Sequence, residues 1–161
     1  MAATGSTDGS VKLINLITGK VSMTIDCGCI ESGASDAAAG DETRSVEAVA
    51  FSTSLQLLVT ATVGGVIEVW EASNWRRRCF ILHEHGVSGI RWNLTDMVRL
   101  HYMGLDGCLN TWDARSGQLL ERRVCHHDQI LAFDVAHSAD ADLAVTASED
   151  TTCRVFQLNK R

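Results

Sequence analysis

Short runs that alternate between apolar and polar residues recur along the chain, and each run is followed by a tight turn. The recurring unit is a strand, a turn that contains glycine or aspartate, and a second strand that ends on an aromatic residue or isoleucine. It occurs four times, at residues 4–14, 60–71, 102–113 and 146–156. Short strands at regular spacing predict an all-β fold of repeated antiparallel units.

The spacing inside the four units is constant. The aromatic residue or isoleucine lies six positions after the turn, and a hydroxyl-bearing residue lies four positions before it. The turn positions are residues 8, 64, 106 and 150, so that successive units are 56, 42 and 44 residues apart. We attribute the long first interval to an inserted loop at residues 28–44, which is rich in glycine, alanine, serine and acidic residues.

A second pattern predicts one further strand in three of the units. Residues 46–51, 87–92 and 130–135 each read apolar, any, small, apolar, any, apolar. The small third residue suits a strand that is crowded near a central channel, and the apolar positions are expected to pack between neighbouring sheets. Four residues before the last two copies stand His83 and His126, and Glu42 has the matching position before the first copy.

These spacings, with the Trp-Asp pair at 112–113, make the chain resemble a WD40 β-propeller over essentially its whole length. In that family a histidine, a hydroxyl residue, the turn aspartate and a tryptophan form a hydrogen-bonded tetrad, which satisfies their buried polar groups. No repeat of this chain carries the full set, because Ile14, Gly64, Tyr102 and Phe156 depart from it. The resemblance implies tetrad roles for Thr4, Asp8, Thr60, Trp70, His83, Asp106, Trp112, His126, Thr146 and Asp150.

Counting strands predicts about three and a half four-stranded blades, at residues 1–27, 45–83, 86–126 and 128–158. The first unit lacks an innermost strand and the last lacks an outermost one. A closed ring of seven blades would need roughly 300 residues at about 40–45 each. We therefore expect the chain to be the C-terminal half of a larger propeller, or a truncated product of such a gene, with unsatisfied edges at both ends. Closure with a second copy is the alternative.

A closer resemblance is to the family of angio-associated migratory cell protein and its fungal ribosome-assembly relatives. It depends on residues 45–47, on the run 107–120, on residues 130–133, and on the ending at 155–158 with its short basic tail. The acidic N-terminal region and the first blades of that family have no counterpart in this sequence.

Composition narrows the class of protein. Hydrophobic residues make up 45% and charged residues 21%, which is normal for a globular protein and excludes wholesale disorder. The net charge of −6 favours basic partners over nucleic acid. We expect no membrane association, because no apolar run approaches the roughly 20 residues that span a bilayer. Without a signal-peptide pattern, the six cysteines indicate reduced thiols in a cytoplasmic, or also nuclear, protein, and Cys27 and Cys29 are interpreted as incidental loop thiols.

The sequence carries no catalytic or cofactor motif. The nucleophile elbow, the P-loop, the H-E-x-x-H zinc pattern and the dinucleotide fingerprint all fail to match, so we predict a protein that is not an enzyme and has no cofactor. A zinc-binding module is a remote alternative, since imidazole and thiolate together suit zinc. Its ligands would come from His83, His85, Cys125, His126 and His127.

Two basic segments, residues 75–78 and 122–123, fall in or near the outermost strands. We interpret their charges as a protection of the sheet edge against pairing with other chains, and not as a nucleic-acid site. His101 and His137 are expected to be half-exposed and are given no role.

The predicted function is that of a non-enzymatic protein-interaction scaffold, because a propeller carries variable loops on a rigid ring. The fungal relatives imply a narrower role, as an escort for a basic ribosomal protein in large-subunit ribosome assembly. Candidate contacts are Glu84, Asp128 and Glu149, near one rim of the ring. The animal members imply the alternative of an adaptor in cell migration and signalling. The remaining blades of the propeller are predicted as a further partner.

Overall fold

The computed structural model describes residues 1–28, 42–52, 54–93, 98–137 and 141–158. Over these residues the chain forms fourteen β-strands and one short 3-10 helix, Glu42–Arg44. Most of the predicted inserted loop, residues 29–41, lies outside the described part. The strands are β1 (Ala2–Gly5), β2 (Ser10–Ile14), β3 (Val21–Asp26), β4 (Val46–Ser52), β5 (Leu57–Thr62), β6 (Val66–Glu71), β7 (Arg77–Leu82), β8 (Val87–Trp92), β9 (Arg99–Gly104), β10 (Cys108–Asp113), β11 (Gln118–Val124), β12 (Ile130–His137), β13 (Asp142–Ser148) and β14 (Cys153–Leu158).

The strands pair in chain order into four antiparallel sheets. The first sheet is β1–β3, the second β4–β7, the third β8–β11 and the fourth β12–β14. Among the described residues the sheets therefore contain three, four, four and three strands. This confirms the predicted fold class, a partial WD40 β-propeller that does not close into a ring.

Neighbouring sheets bury apolar residues against each other. Both faces of strand β5 are covered: Leu57, Val59 and Ala61 face the third sheet, whereas Leu58 faces the first. All six residues are buried, the two threonines included, so the strand has no exposed polar side. A third cluster, with Met103 and Phe133, joins the third and fourth sheets in the same way.

Strands β4, β8 and β12 lie next to one another, and each contains a bulge just before its small residue. At Gly89 the small residue has a steric cause, because an added Cβ would lie 2.9 Å from Cε1 of Phe133 in the neighbouring sheet. An extra methyl group at such a distance requires the phenyl ring or the backbone to shift.

Antiparallel pairing gives the propeller two distinct faces. The turns β1–β2, β5–β6, β9–β10 and β13–β14 lie on one face, with the connections that lead from each sheet to the next; we call it the upper face. Hydrogen bonds tie these loops together, such as Leu105 N–H to Gly86 C=O (2.7 Å) and Glu149 N–H to Gln129 C=O (3.0 Å). The turns β2–β3, β6–β7 and β10–β11 form the lower face. In the part of the chain that the structure describes, no helix has the length and apolar character needed to cross a membrane.

Candidate functional site

In the fourth sheet, three of the predicted tetrad residues meet at the upper face. Nδ1 of His126 lies 2.8 Å from Oδ2 of Asp150, and its Nε2 lies 2.7 Å from Oγ1 of Thr146. The pKa of Asp150 is held far below its ordinary value, chiefly by the hydroxyl of Thr152 and also by His126. Phe156 packs edge-on against the imidazole, with ring centroids 6.5 Å apart. The carboxylate and the hydroxyl thus fix the buried imidazole in one orientation.

The third sheet has the same positions but a looser arrangement. Nε2 of His83 lies 3.9 Å from Oδ2 of Asp106, and the ring of Tyr102 stands edge-on to the imidazole where a smaller hydroxyl residue would reach it. The guanidinium of Arg122 donates to the Asp106 carboxylate at 2.7 Å. Burial opposes ionisation of Asp106, but hydrogen bonds from Cys108 and the charges of His83 and Arg122 hold its pKa below the ordinary value.

In the second sheet a cysteine stands where a histidine would be expected. The thiol of Cys27 donates to Oγ1 of Thr60 (3.5 Å), which also accepts the indole N–H of Trp70 (3.2 Å). Glu42, which sequence spacing had matched to the histidine, lies exposed in the 3-10 helix instead. Burial raises the pKa of the Cys27 thiol to about 12, so it remains protonated and acts as a hydrogen-bond donor. The interpretation of Cys27 as an incidental loop thiol is therefore wrong; Cys29 lies outside the described residues.

The first sheet brings no tetrad together. Thr4 and Asp8 are both exposed, and the Asp8 carboxylate accepts the backbone N–H of Ser10 (2.9 Å) within its own turn. Ile14, at the tryptophan position, pairs with Ala2 in the neighbouring strand.

A buried polar network near the lower face was not predicted. His101 is only 2% exposed, which contradicts the expectation of a half-exposed residue. Its Nδ1 lies 3.0 Å from Oγ1 of Thr111, and its Nε2 lies 3.2 Å from the amide of Asn93. That amide also donates to Asp142 (3.2 Å) in the fourth sheet, and the other oxygen of Asp142 lies 2.6 Å from Nδ1 of His137. The network joins two sheets.

The basic segments are more than protection for sheet edges. Arg77 donates at 2.7 Å to Glu68, a carboxylate that is completely buried and also accepts the N–H of Gly28 (3.1 Å). Arg122 is held by Asp106 as described above, and Arg123 bonds both Glu121 (2.6 Å) and the Gln157 carbonyl (2.9 Å). Only Arg76 and Arg78 of the first segment are exposed in the manner the sequence predicted.

The three predicted partner contacts all lie exposed on the upper face. Glu84 is in the β7–β8 connection, Asp128 in the β11–β12 connection and Glu149 in the β13–β14 turn. Backbone hydrogen bonds join the last two loops, through Gln129 and Glu149. We call these three carboxylates the acidic rim.

Cations on the same face are engaged with acceptors in the chain. Arg44 donates to the carbonyl of Cys27 (3.2 Å), Arg122 to Asp106 (2.7 Å) and Arg154 to the carbonyl of Cys125 (2.6 Å). Hydrogen bonds to backbone carbonyls leave the charges of Arg44 and Arg154 in place, but the acidic rim with the exposed Asp8 and Glu42 outnumbers the three arginines. The upper face therefore has an excess of negative charge, which attracts cationic partners.

The residues of the zinc alternative do not converge. Nδ1 of His85 and Nε2 of His83 each lie 3.9 Å from the Asp106 carboxylate, while His126 is turned inward toward Thr146. Within the described residues, no group of three or more histidine, cysteine, aspartate or glutamate side chains is arranged to hold a metal ion.

Comparison with known proteins identifies similar sequences and folds. The family model "WD domain, G-beta repeat" matches residues 117–157. Angio-associated migratory cell protein of Homo sapiens is 32% identical over 157 residues, covering 95% of this chain and 35% of that protein. An uncharacterized WD repeat-containing protein of Schizosaccharomyces pombe is 28% identical over 152 residues, covering 94% of this chain and 34% of that protein.

Among solved structures, Saccharomyces cerevisiae Sqt1 superposes with a TM-score of 0.84 at 22% identity, covering 98% of this chain and 41% of that one. The chain spans about a third of the length of these two curated relatives. These findings confirm the resemblance that the repeat spacing and the run at 107–120 indicated.

Proposed function

Because the chain is a WD40-repeat protein, we propose that it is a non-enzymatic scaffold whose upper face binds a basic protein segment. The observation that carries this proposal is the acidic rim, Glu84, Asp128 and Glu149, exposed on a face where carboxylates outnumber arginines. The net charge of −6 also favours the binding of a basic segment. Complementary charge at a rim raises the rate of association and selects partners of the opposite sign.

A narrower proposal is that the bound segment belongs to a basic ribosomal protein, which the chain escorts in the cytoplasm before large-subunit assembly. The resemblance to fungal ribosome-assembly relatives supports it, as does the charge of the upper face. Likeness to angio-associated migratory cell protein, at 32% identity, supports the second candidate, an adaptor in cell migration and signalling.

Reversing the charge of the acidic rim is expected to weaken the binding of basic clients. We expect the triple variant Glu84→Lys, Asp128→Lys, Glu149→Lys to bind basic large-subunit ribosomal proteins at least about tenfold more weakly, since three exposed pairs at about 0.5–1 kcal/mol each are lost. A pull-down at low and at high salt measures the effect, and high salt should weaken binding of the unaltered chain as well.

Glu71→Lys, at the end of β6 on the lower face, is the matched control for the single rim variant Glu84→Lys, because each changes the net charge by two units. It should leave binding unchanged, whereas Glu84→Lys should weaken it. If the unaltered chain enriches no basic ribosomal protein at low salt, the escort role is wrong and the adaptor role is favoured. Equal losses from Glu84→Lys and Glu71→Lys would show that only net charge matters, and would overturn the assignment to the upper face.

The outward face of the fourth sheet supports the proposal that further blades of a propeller are a partner. Val155 lies five positions after its turn and is 64% exposed. The equivalent residues of the first three sheets, Leu13, Val69 and Thr111, are 0%, 0% and 7% exposed, because the next sheet covers them. Val145, which pairs with Val155 in the neighbouring strand, is also exposed, at 44%. Repeat symmetry indicates a complete WD40 sheet as the covering element.

Val155→Lys is therefore expected to change the free energy of unfolding of this chain by less than about 0.5 kcal/mol, as for other exposed positions. Urea unfolding of the purified chain measures it. A loss of about 2 kcal/mol or more would show that this face is already covered in the isolated chain, and the proposed partner blade would then have no place to pack.

A further inference from the structure

A cleft of about 240 Å³ runs along the outer part of the boundary between the second and third sheets. One wall is the end of β7 with the β7–β8 connection, and the other is formed by β9, β10 and β11. Its apolar lining includes Leu82, Tyr102, Trp112 and Leu119, and Gly117 lies at its lower end. We call it the inter-sheet cleft. It is too small for a cofactor-sized ligand and suits one large side chain.

The second sheet shows that an aromatic side chain can occupy this position, whereas in the first sheet Gly19 holds the same place in the β2–β3 turn, with a φ of 68° and its N–H on the Asn15 carbonyl (2.8 Å). Trp75 and Gly117 hold the same place in the β6–β7 and β10–β11 turns. Both have a positive φ, of 57° and 72°, and their N–H groups bond the carbonyls of Glu71 (2.7 Å) and Asp113 (2.9 Å). The indole of Trp75 packs edge-on to Phe51, at 6.4 Å between ring centroids, and belongs to the core between the first and second sheets.

Gly117 brings no side chain to the corresponding space in the third sheet. A Cβ built on Gly117 would meet only Cζ2 of Trp112 within 4 Å, at 3.8 Å. Tyr102 also departs from the repeat here. The equivalent residue of the second sheet is Thr60, whose hydroxyl accepts the indole N–H of Trp70. The cleft is therefore a place at the second sheet boundary that an indole of the chain fills at the first boundary and leaves empty here.

Charged and apolar residues line different parts of the inter-sheet cleft. The upper end of the cleft is lined by Glu84, which is exposed, by the imidazoles of His83 and His85, and by Arg122, whose charge is matched by Asp106 at 2.7 Å. The cleft thus reaches one member of the acidic rim, Glu84. Leu82 and Leu119, 58% and 52% exposed, form its apolar edges. Exposed apolar edges around an aromatic floor are typical of an anchor pocket in a protein interface.

We propose that the inter-sheet cleft binds an aromatic side chain of a basic peptide segment, which takes the place that Trp75 occupies in the second sheet. The cationic residues that follow it lie over Glu84 and the rest of the acidic rim. This inference depends on the proposed function, since it names the residue that gives specificity to an otherwise electrostatic contact.

The test compares two labelled peptides on the full chain by fluorescence anisotropy. The first contains one tryptophan followed by lysine and arginine residues, and the second has serine in place of the tryptophan. We expect the tryptophan peptide to bind at least about tenfold more tightly. Leu119→Asp and, separately, Leu82→Asp should remove that preference, while the serine peptide should bind at least as tightly as it does to the unaltered chain, since each variant adds a negative charge.

Leu120→Asp is the matched control, because Leu120 is the next residue of β11, is 45% exposed and does not line the cleft. It should retain the preference for tryptophan. Gly117→Trp fills the cleft with the chain's own indole, in a turn conformation that Trp75 already adopts. It should abolish the preference without introducing charge, and circular dichroism establishes that each variant is folded.

The outcomes separate this inference from the proposed function. Equal, salt-sensitive binding of both peptides would overturn the cleft as an aromatic site and leave the basic-segment scaffold intact. Absence of binding by both peptides would overturn both. A preference for tryptophan that survives in Leu119→Asp, Leu82→Asp and Gly117→Trp would place the aromatic residue elsewhere and would also overturn the inference.

Discussion

Replacement of Arg77 by alanine is expected to lower the free energy of unfolding by about 3–5 kcal/mol. Glu68 is completely buried, and the Arg77 guanidinium 2.7 Å away is the cation that offsets its charge. Without that partner, the carboxylate keeps the hydrogen bond from the Gly28 N–H but not a counter-charge. An uncompensated charge in an apolar interior is among the most destabilising single changes. Urea unfolding at neutral pH measures the loss.

Arg78→Ala is the matched control, because Arg78 is the next residue of β7 and is exposed. It should cost less than about 0.5 kcal/mol. The double variant Glu68→Leu, Arg77→Leu removes both charges and should be clearly more stable than Arg77→Ala, since replacement of a buried pair by apolar residues is often neutral. Equal losses for Arg77→Ala and Arg78→Ala would contradict the assigned role of the pair.

The fold could be predicted because its signal is local and repeated. The hydroxyl residue, turn and terminal aromatic residue keep their offsets even where one of them is replaced, as at Gly64 or Phe156. Strand alternation and turn chemistry depend on neighbours a few residues away. Repetition then makes each unit support the next, so that substitutions in one tetrad do not obscure the sheet pattern.

The second-sheet tetrad shows where counting along the sequence fails. Counting back from β4 led to Glu42, whereas the side chain that reaches Thr60 is Cys27, from the other side of the inserted loop. An insertion changes the distance along the chain without changing the position in space. Cysteine also carries no signal for this role, because a buried thiol behaves mainly as a small apolar residue with a weak donor.

The buried polar contacts could not be predicted because their partners are remote in sequence. Asn93 and Asp142 are 49 residues apart and lie in different sheets, and Glu68 meets the Gly28 N–H across 40 residues. The alternation of β9 places His101 on the face that covers the next sheet, but a single histidine in a strand is not distinguished from a surface residue by its own neighbours. Such side chains become interpretable only when the stacking of sheets is known.

His101 is expected to make the chain less stable as the pH falls from about 6.5 to 4. Burial, aided by the charge of Arg99 and opposed by Asp142 and Glu121, lowers its pKa from 6.5 to about 4. In that interval the unfolded chain binds a proton that the folded chain does not, so the stabilising difference is complete above pH 6.5 and is lost on acidification. The shift corresponds to about 3 kcal/mol. Urea unfolding at intermediate pH values measures the slope.

His101→Gln should flatten that slope, because glutamine does not titrate, even if the lost contact with Thr111 lowers stability at every pH. His85→Gln is the control: its side chain is 51% exposed, and the variant should keep the slope of the unaltered chain. Because the same carboxylates are present in all three proteins, the comparison separates the effect of the buried imidazole on the slope from theirs. If His101→Gln retains the full loss between pH 6.5 and 4.5, the imidazole is not held neutral by burial, and the polar network that joins the third and fourth sheets accepts the proton without cost.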